Sequence, residues 1–288
     1  MFSLNDVNML FPLDDNKIKT VLDLRTLKVI KCEEQIFKNK TNVRYLENEE
    51  TPNAEKFIAS LVGNDPEKMR KLQICLGICL IKPTKPSTFY VFYGPGSSGK
   101  SILTRLMKKI LTKSMYQIVS EEYIELSPQI RLGIIYNLDL NEKEKVEVYF
   151  KFLSRMTLIA ETNVYPHDIM DRVNIIEFPY DINRDKVFTE QMFNEHLSEM
   201  FTWIARGANM YINQSINMEE KYIERIENYL EIADSKDYEV AHISEDGIYK
   251  SFIRDIEDDK FANISEAKRV AQMIRKRVSN NHITRWYA

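Results

Sequence analysis

One short stretch limits the folds open to this chain more than any other feature. Residues 94–101 read Gly-Pro-Gly-Ser-Ser-Gly-Lys-Ser and fit the pattern G-x-x-x-x-G-K-[S/T] at every position. A run of β-branched and aromatic residues at 88–93 precedes it, and a helical pattern with apolar residues three and four apart follows it. A strand, a glycine-rich loop and a helix in this order are the context that a phosphate-binding loop requires.

The residue types of this loop suit a bound triphosphate. Glycines let successive backbone N–H groups turn toward phosphate oxygens, and the positive end of the following helix adds to the attraction. Lys100 is placed to reach the β and γ phosphates, and the Ser101 hydroxyl is placed to ligate Mg²⁺. We therefore predict that ATP and Mg²⁺ bind here, the alternative being a chance glycine turn before a helix. The predicted binding residues are Gly94, Pro95, Gly96, Ser97, Ser98, Gly99, Lys100 and Ser101.

Other segments continue the alternation of strands and helices. Residues 132–140 and 156–160 are continuous apolar runs of strand length, and residues 174–178 suit one more strand. Strands that are buried on both faces and alternate with helices favour an α/β fold, with a parallel sheet and helices on both of its faces. Further patterns predict short strands over residues 1–31 and helices over 52–62, 66–81 and most of 188–211.

Hydrolysis requires an acid that holds Mg²⁺ and orients water, in addition to the loop that binds nucleotide. The apolar run from residue 132 ends at Asp139, and Glu142 follows closely. We predict that Asp139 is the catalytic acid on the metal side and ligates Mg²⁺ together with Ser101. Glu142 is the weaker candidate and would activate water. The alternative is that both acids only solvate the end of a strand.

Two later polar residues complete the predicted catalytic set. Asn163 follows an apolar strand, and α/β sheets bind ligands at the carboxyl ends of their strands, so its amide is placed to contact the γ-phosphate or the attacking water. A turn-forming asparagine is the alternative. Arg172 precedes the predicted strand at 174–178. At a subunit edge it would stabilise transition-state charge on a neighbour's nucleotide, whereas a surface ion pair is the ordinary alternative.

Composition excludes several classes of protein. The net charge is −3, from 40 basic and 43 acidic residues, so no overall positive field attracts nucleic acid. Three cysteines are too few for a disulfide-stabilised secreted domain, and Cys75 and Cys79 are predicted to be buried thiols rather than zinc ligands. No apolar stretch is long enough to span a bilayer, and the N-terminal residues lack the features of a signal peptide. We predict a soluble, intracellular protein.

Charge changes sign along the last part of the chain. Acidic residues predominate over 219–246 and basic residues over 264–288. Ser265 is placed to cap a basic amphipathic helix over 266–278. This helix either contacts nucleic-acid phosphates, or it presents a solvated face or a docking site for the acidic segment. We predict three parts, residues 1–86, 87–235 and 236–288.

In order and spacing, these motifs resemble the superfamily 3 helicases. The segments that carry the resemblance are residues 94–101, 132–139, 158–166 and 171–179. The family has an a-T-N-x-x-P sensor, which residues 163–166 match, and an R-R-h-x-h-I-x-F-P box, which residues 172–179 match. The subgroup that looks most similar is the helicase half of phage, plasmid and large-DNA-virus primase-helicases, including the poxvirus nucleoside triphosphatase.

The resemblance implies an AAA+-like ATPase core at 87–235, between a collar-like segment at 1–86 and a winged-helix-like module at 236–288. It implies a ring of identical subunits, expected to be a hexamer, that hydrolyses ATP at subunit interfaces and moves along single-stranded DNA. Asn163 would be sensor 1, and Arg172 would be the arginine finger that acts on the neighbouring subunit. The expected protein is an ATP-dependent DNA helicase subunit in the replication of a virus, phage or mobile element. It would work with a separate primase or polymerase, in the host cytoplasm or at a viral replication site.

Departures from the family pattern leave two other functions open. Ser98 stands where the family usually has Asn, the strand before Asp139 lacks an acidic pair, and the segment between Asp139 and Asn163 is short. Family members carry a DNA-gripping hairpin in that segment. In this chain, residues 143–155 stand there, and they either grip DNA or form a helix. One alternative is a nucleotide-gated ring that loads or scaffolds replication proteins on DNA. The other is an AAA+-like ATPase that remodels protein.

Overall fold

The computed structural model describes residues 10–15, 18–31, 40–83, 88–119, 129–139, 143–179 and 193–214. The chain divides into two units, Met1–Ile212 and Asn213–Ala288. Almost all described residues belong to the first unit. Glu142, the basic helix at 266–278 and the winged-helix-like module lie outside the described residues, so these predictions and the three-part division stay predictions.

A three-stranded antiparallel sheet comes first in the described chain. Its strands are β1 (Leu10–Asp15), β2 (Ile18–Asp23) and β3 (Lys28–Lys31), in that order. Leu10 and Val21 are buried against each other on one side of this sheet. The short strands predicted for this region are present.

Two helices follow, α1 (Pro52–Leu61) and α2 (Pro66–Ile78). Each begins with proline, whose missing N–H is harmless where a helix offers no acceptor for it. The Asp65 side chain caps α2 by accepting backbone N–H bonds at the start of the helix. Cys75 and Cys79 are buried as predicted, and burial raises the pKa of both thiols. Both cysteines therefore act as small apolar residues of the core.

The central sheet is parallel and has five strands in the order β5-β6-β7-β4-β8. The strands are β4 (Phe89–Tyr93), β5 (Tyr116–Ile118), β6 (Leu132–Ile135), β7 (Thr157–Thr162) and β8 (Asn174–Glu177). β6 and β7 are buried along their whole length, as the continuous apolar runs predict. The predicted α/β fold with a parallel sheet is confirmed.

Helices cover both faces of this sheet. On one face, α4 (Lys143–Lys151) contributes Val146 and Tyr149 to a core cluster that includes Ala160 of β7. The next residue of β7, Glu161, is bonded to α3 (Lys100–Ile110). Because successive strand residues point to opposite faces, α3 and α4 lie on opposite sides of the sheet.

A further helix packs directly on α2. Its described residues are 197–214, which we call α5. The Gln73 side-chain amide of α2 donates a hydrogen bond to the Trp203 carbonyl oxygen at 2.9 Å. Gly77 and Gly207 lie at the contact, where a Cβ on either residue would overlap the backbone of the other helix. No helix in the part of the chain described here is long and apolar enough to cross a membrane.

Candidate nucleotide-binding site

The glycine-rich loop connects the end of β4 to the start of α3. Gly99, the residue before α3, has a φ of 102°, which residues with a Cβ rarely adopt. Gly94 has a φ of 152°, and a Cβ there would lie 2.6 Å from the Phe178 carbonyl oxygen. The first and last glycines of the motif are therefore both required by the local backbone.

Lys100 is buried at the first position of α3, with its ammonium group inside the loop. Its Nζ lies within hydrogen-bonding distance of four oxygen acceptors, Gly94 O (2.5 Å), Pro95 O (2.6 Å), Ser98 Oγ (3.2 Å) and Asn163 Oδ1 (3.1 Å). Burial lowers the pKa of Lys100, and the nearby Glu161 carboxylate opposes this change. The loop thus surrounds the ammonium with oxygen atoms, the type of partner that a phosphate group also offers.

The structure places Asn163 beside the loop, as its position after a strand suggests. β7 pairs in parallel with β4, and Thr162 lies opposite Tyr93, the last residue of β4. The residue that follows β7 therefore reaches the beginning of the loop that follows β4. The 3.1 Å contact between Asn163 Oδ1 and Lys100 Nζ results from this register. The role of sensor 1 stays a prediction.

A buried acid that the sequence motifs did not indicate also belongs to this site. Glu161 of β7 accepts hydrogen bonds from the Ser101 hydroxyl at 2.5 Å and from the Thr104 hydroxyl at 2.7 Å. Its side chain lies in the interior, while Ser101 is exposed. The signal for it was a glutamate directly after a buried apolar run, since a buried carboxylate needs hydrogen-bonding partners.

Asp139, the predicted metal-side acid, is exposed and lies beyond the end of β6. The backbone N–H of Leu138 donates to the Glu161 carbonyl oxygen at 2.8 Å, so the segment after β6 passes beside β7. The single hydroxyl hydrogen of Ser101 is directed to Glu161. The assignment of Asp139 as a metal ligand stays a prediction.

Arg172 lies at the end of a 3₁₀ helix, His167–Arg172, immediately before β8. Its guanidinium forms two hydrogen bonds with Glu147 of α4, one of them 3.1 Å between Nη2 and Oε2, and stacks 3.8 Å from the centre of the Phe150 ring. The arginine and the glutamate are each about half exposed. This is the surface ion pair considered as the ordinary alternative. A role on a neighbouring subunit stays a prediction.

The short segment after Asp139 is helical. Residues Lys143–Lys151 form α4, and a 3₁₀ turn at Phe152–Ser154 follows it. Of the two interpretations of this segment, the helix is confirmed. The basic residues of this segment that could contact DNA are Lys143, Lys145, Lys151 and Arg155, and they lie on this helix or just after it.

The donors at the loop suit a small, hard cation. Ser101 supplies a hydroxyl oxygen and Glu161 a carboxylate, and Mg²⁺ prefers oxygen ligands. Among the described residues, no three His, Cys, Asp or Glu side chains cluster into a metal site of their own. A Mg²⁺ ion here would take most of its ligands from phosphate oxygens and water, as it commonly does in nucleotide sites.

No family model and no curated protein matches this chain. Three solved structures of the NrS-1 C-terminal region are similar to parts of it. An apo structure in the A form has 13% identity and a TM-score of 0.46 over 58% of this chain and 50% of that one. A second A-form structure has 16% identity and a TM-score of 0.42 over 58% and 48%. A third has 13% identity and a TM-score of 0.45 over 81% and 64%. The chain spans less than two thirds of each of these structures.

Proposed function

We propose that this protein is an ATPase that binds ATP with Mg²⁺ at the loop of residues 94–101. The main support is a group of contacting side chains at one edge of the parallel sheet. Lys100 contacts Asn163, and Ser101 contacts Glu161, so the loop, the end of β7 and the start of α3 meet at one point. Ligands of α/β folds bind at this edge of the sheet.

Each side chain has a chemical task in this proposal. The backbone N–H groups of the loop and the N-terminus of α3 attract the phosphates. Lys100 exchanges its carbonyl partners for phosphate oxygens, and the exposed Ser101 hydroxyl becomes a metal ligand. Asn163 donates its side-chain N–H to the γ-phosphate or positions the attacking water. Mg²⁺, when bound, neutralises negative charge on the phosphates.

We further propose that ATP hydrolysis drives a ring-forming helicase or translocase of the superfamily 3 type, with an AAA+-like core. Support comes from the positions of the motifs in one parallel sheet, because the loop follows β4, Asp139 follows β6, Asn163 follows β7 and Arg172 precedes β8. The proposed partners are further copies of the chain, expected as a hexamer, single-stranded DNA, and a separate primase or polymerase. The place of action would be the host cytoplasm or a viral replication site.

A nucleotide-gated ring that loads or scaffolds replication proteins is the second candidate. It is favoured by α4, because a helix packed on the sheet through Val146 and Tyr149 occupies the segment where the related helicases carry a DNA-gripping hairpin. Such a ring would bind ATP at the same loop and would turn it over slowly.

ATP hydrolysis by the purified full-length chain, with and without single-stranded DNA, separates these functions. Stimulation by DNA supports the helicase or translocase. Slow turnover that DNA does not change supports the loading ring, and stimulation only by a protein partner supports a protein remodeller. Failure to bind ATP in the presence of Mg²⁺ would contradict all three.

A further inference from the structure

We propose that Glu161 of β7, rather than Asp139, is the acid that serves the metal side of the nucleotide site. The inference rests on the proposed binding of ATP and Mg²⁺ at the loop. Glu161 is a positioning residue in this account, because it acts through the Ser101 hydroxyl. By holding the hydroxyl hydrogen, it leaves the Ser101 oxygen free to ligate the cation.

The hydrogen bond between the two residues has the direction that metal ligation needs. A serine hydroxyl has one hydrogen and two acceptor lone pairs. The hydrogen points to Glu161 Oε2 across 2.5 Å, which is the length of a charge-assisted bond. The lone pairs of Ser101 Oγ are then available on the exposed side of the residue. Carboxylates that bond to a metal ligand in this way orient it and raise its basicity.

A second hydrogen bond fixes the carboxylate in place. Thr104 lies three residues after Ser101 on α3, so the two hydroxyls share one face of the helix. Thr104 is fully buried and donates to Glu161 Oε1 at 2.7 Å. Each oxygen of Glu161 thus has its own hydroxyl partner. The carboxylate joins β7 to the first turn of α3 and is preorganised before any ligand binds.

The strand order explains why the acid comes from β7. β7 is hydrogen-bonded to β4, the strand before the loop, whereas β6 lies one strand further away. Strands are about 4.8 Å apart, so β6 runs roughly 10 Å from β4. Glu161 pairs with Phe92, one residue before the end of β4, which places it directly below the loop.

An aromatic residue directly follows β6. The ladder pairs Ile135, the last residue of β6, with Ala160, so Tyr136 comes after the end of the strand, near the level of Glu161. Tyr136 faces α3, because its ring centre lies 5.9 Å from Lys108 Nζ. Asp139 follows three residues later and is exposed. On the side of the sheet that α3 covers, the described residues of β6 and β7 therefore provide one carboxylate, that of Glu161.

The test measures the affinity of a fluorescent ATP analogue for the full-length chain, with Mg²⁺ and with EDTA. We expect Mg²⁺ to tighten binding to the wild type. In Glu161→Gln, the increase in affinity caused by Mg²⁺ should be smaller by about tenfold or more, which is the usual effect of losing a residue that orients a metal ligand. The affinity of this variant in EDTA should equal that of the wild type. Asp139→Asn should keep the gain. Glu177→Gln is the matched control, because it changes an exposed glutamate on the neighbouring β8.

Two results would overturn the assignment. One is a folded Glu161→Gln variant that keeps the full gain from Mg²⁺, and the other is an Asp139→Asn variant that loses it. A wild type that binds no analogue would instead contradict the proposed function. If circular dichroism shows that Glu161→Gln does not fold, Ser101→Ala replaces it. This variant should lose the same gain, and an unchanged gain would refute the proposal.

Discussion

At the scale of single residues, two hydrogen bonds hold the candidate site together, one between Lys100 and Asn163 and the other between Ser101 and Glu161. Lys100 and Ser101 follow from the loop pattern, and Asn163 follows from its place after an apolar strand. Glu161 did not stand out, because a glutamate in a strand can face either side of the sheet. Its face depends on the register between β4 and β7, which the sequence alone does not specify.

Substitution of Arg172 tests whether this residue acts on a neighbouring subunit. If it acts on a neighbour's nucleotide, Arg172→Ala should leave ATP binding unchanged and reduce turnover by about 10³-fold or more. The measurement is steady-state ATP hydrolysis together with equilibrium binding of the nucleotide. Arg44→Ala, which removes another exposed arginine, is the control.

The ion pair with Glu147 adds a second variant to this test. If Arg172 acts on a neighbouring subunit, its ion pair with Glu147 must break first. Glu147→Gln should therefore preserve the rate of ATP hydrolysis or raise it. Unchanged hydrolysis in Arg172→Ala would mean that the residue only makes the surface ion pair seen within one chain.

At the scale of secondary structure, long apolar runs and helical periodicity were the informative signals. They predicted β4, β6, β7 and the helix after the loop, because strands buried on both faces consist mostly of apolar residues. β5, at Tyr116–Ile118, was not predicted, since it has three residues and is partly exposed at the edge of the sheet. The order of the five strands depends on contacts distant in sequence and was also not predicted.

The contact between α2 and α5 gives a prediction about stability. Gly77→Ala should lower the free energy of unfolding by about 1–3 kcal/mol, because the added methyl group overlaps the backbone of α5 and the helices must move apart. Denaturant unfolding measures the change. Gly96→Ala is the control, because a Cβ there meets nothing within 4 Å. Equal stability of the two variants would show that the helices are not in close contact.

At the scale of the whole molecule, the proposed mechanism of hydrolysis requires more than one copy of the chain. The proposed arginine finger acts on a neighbouring subunit, so hydrolysis should depend on assembly. Native mass spectrometry with a non-hydrolysable ATP analogue and a DNA oligonucleotide should show a ring, expected as six chains, with bound DNA. A monomer under these conditions would contradict both the ring and the role of Arg172 on its neighbour.

Equilibrium binding of ATP to the full-length chain in the presence of Mg²⁺ tests whether the loop of residues 94–101 is a nucleotide site. The wild type should bind ATP saturably. Lys100→Ala should weaken it by about tenfold or more, since a hydrogen bond to a charged group contributes about 1.5–3 kcal/mol. Lys113→Ala, which removes an exposed lysine after α3, should bind as the wild type does. No binding by the wild type, or equal binding by Lys100→Ala, would show that this loop is not the ATP site.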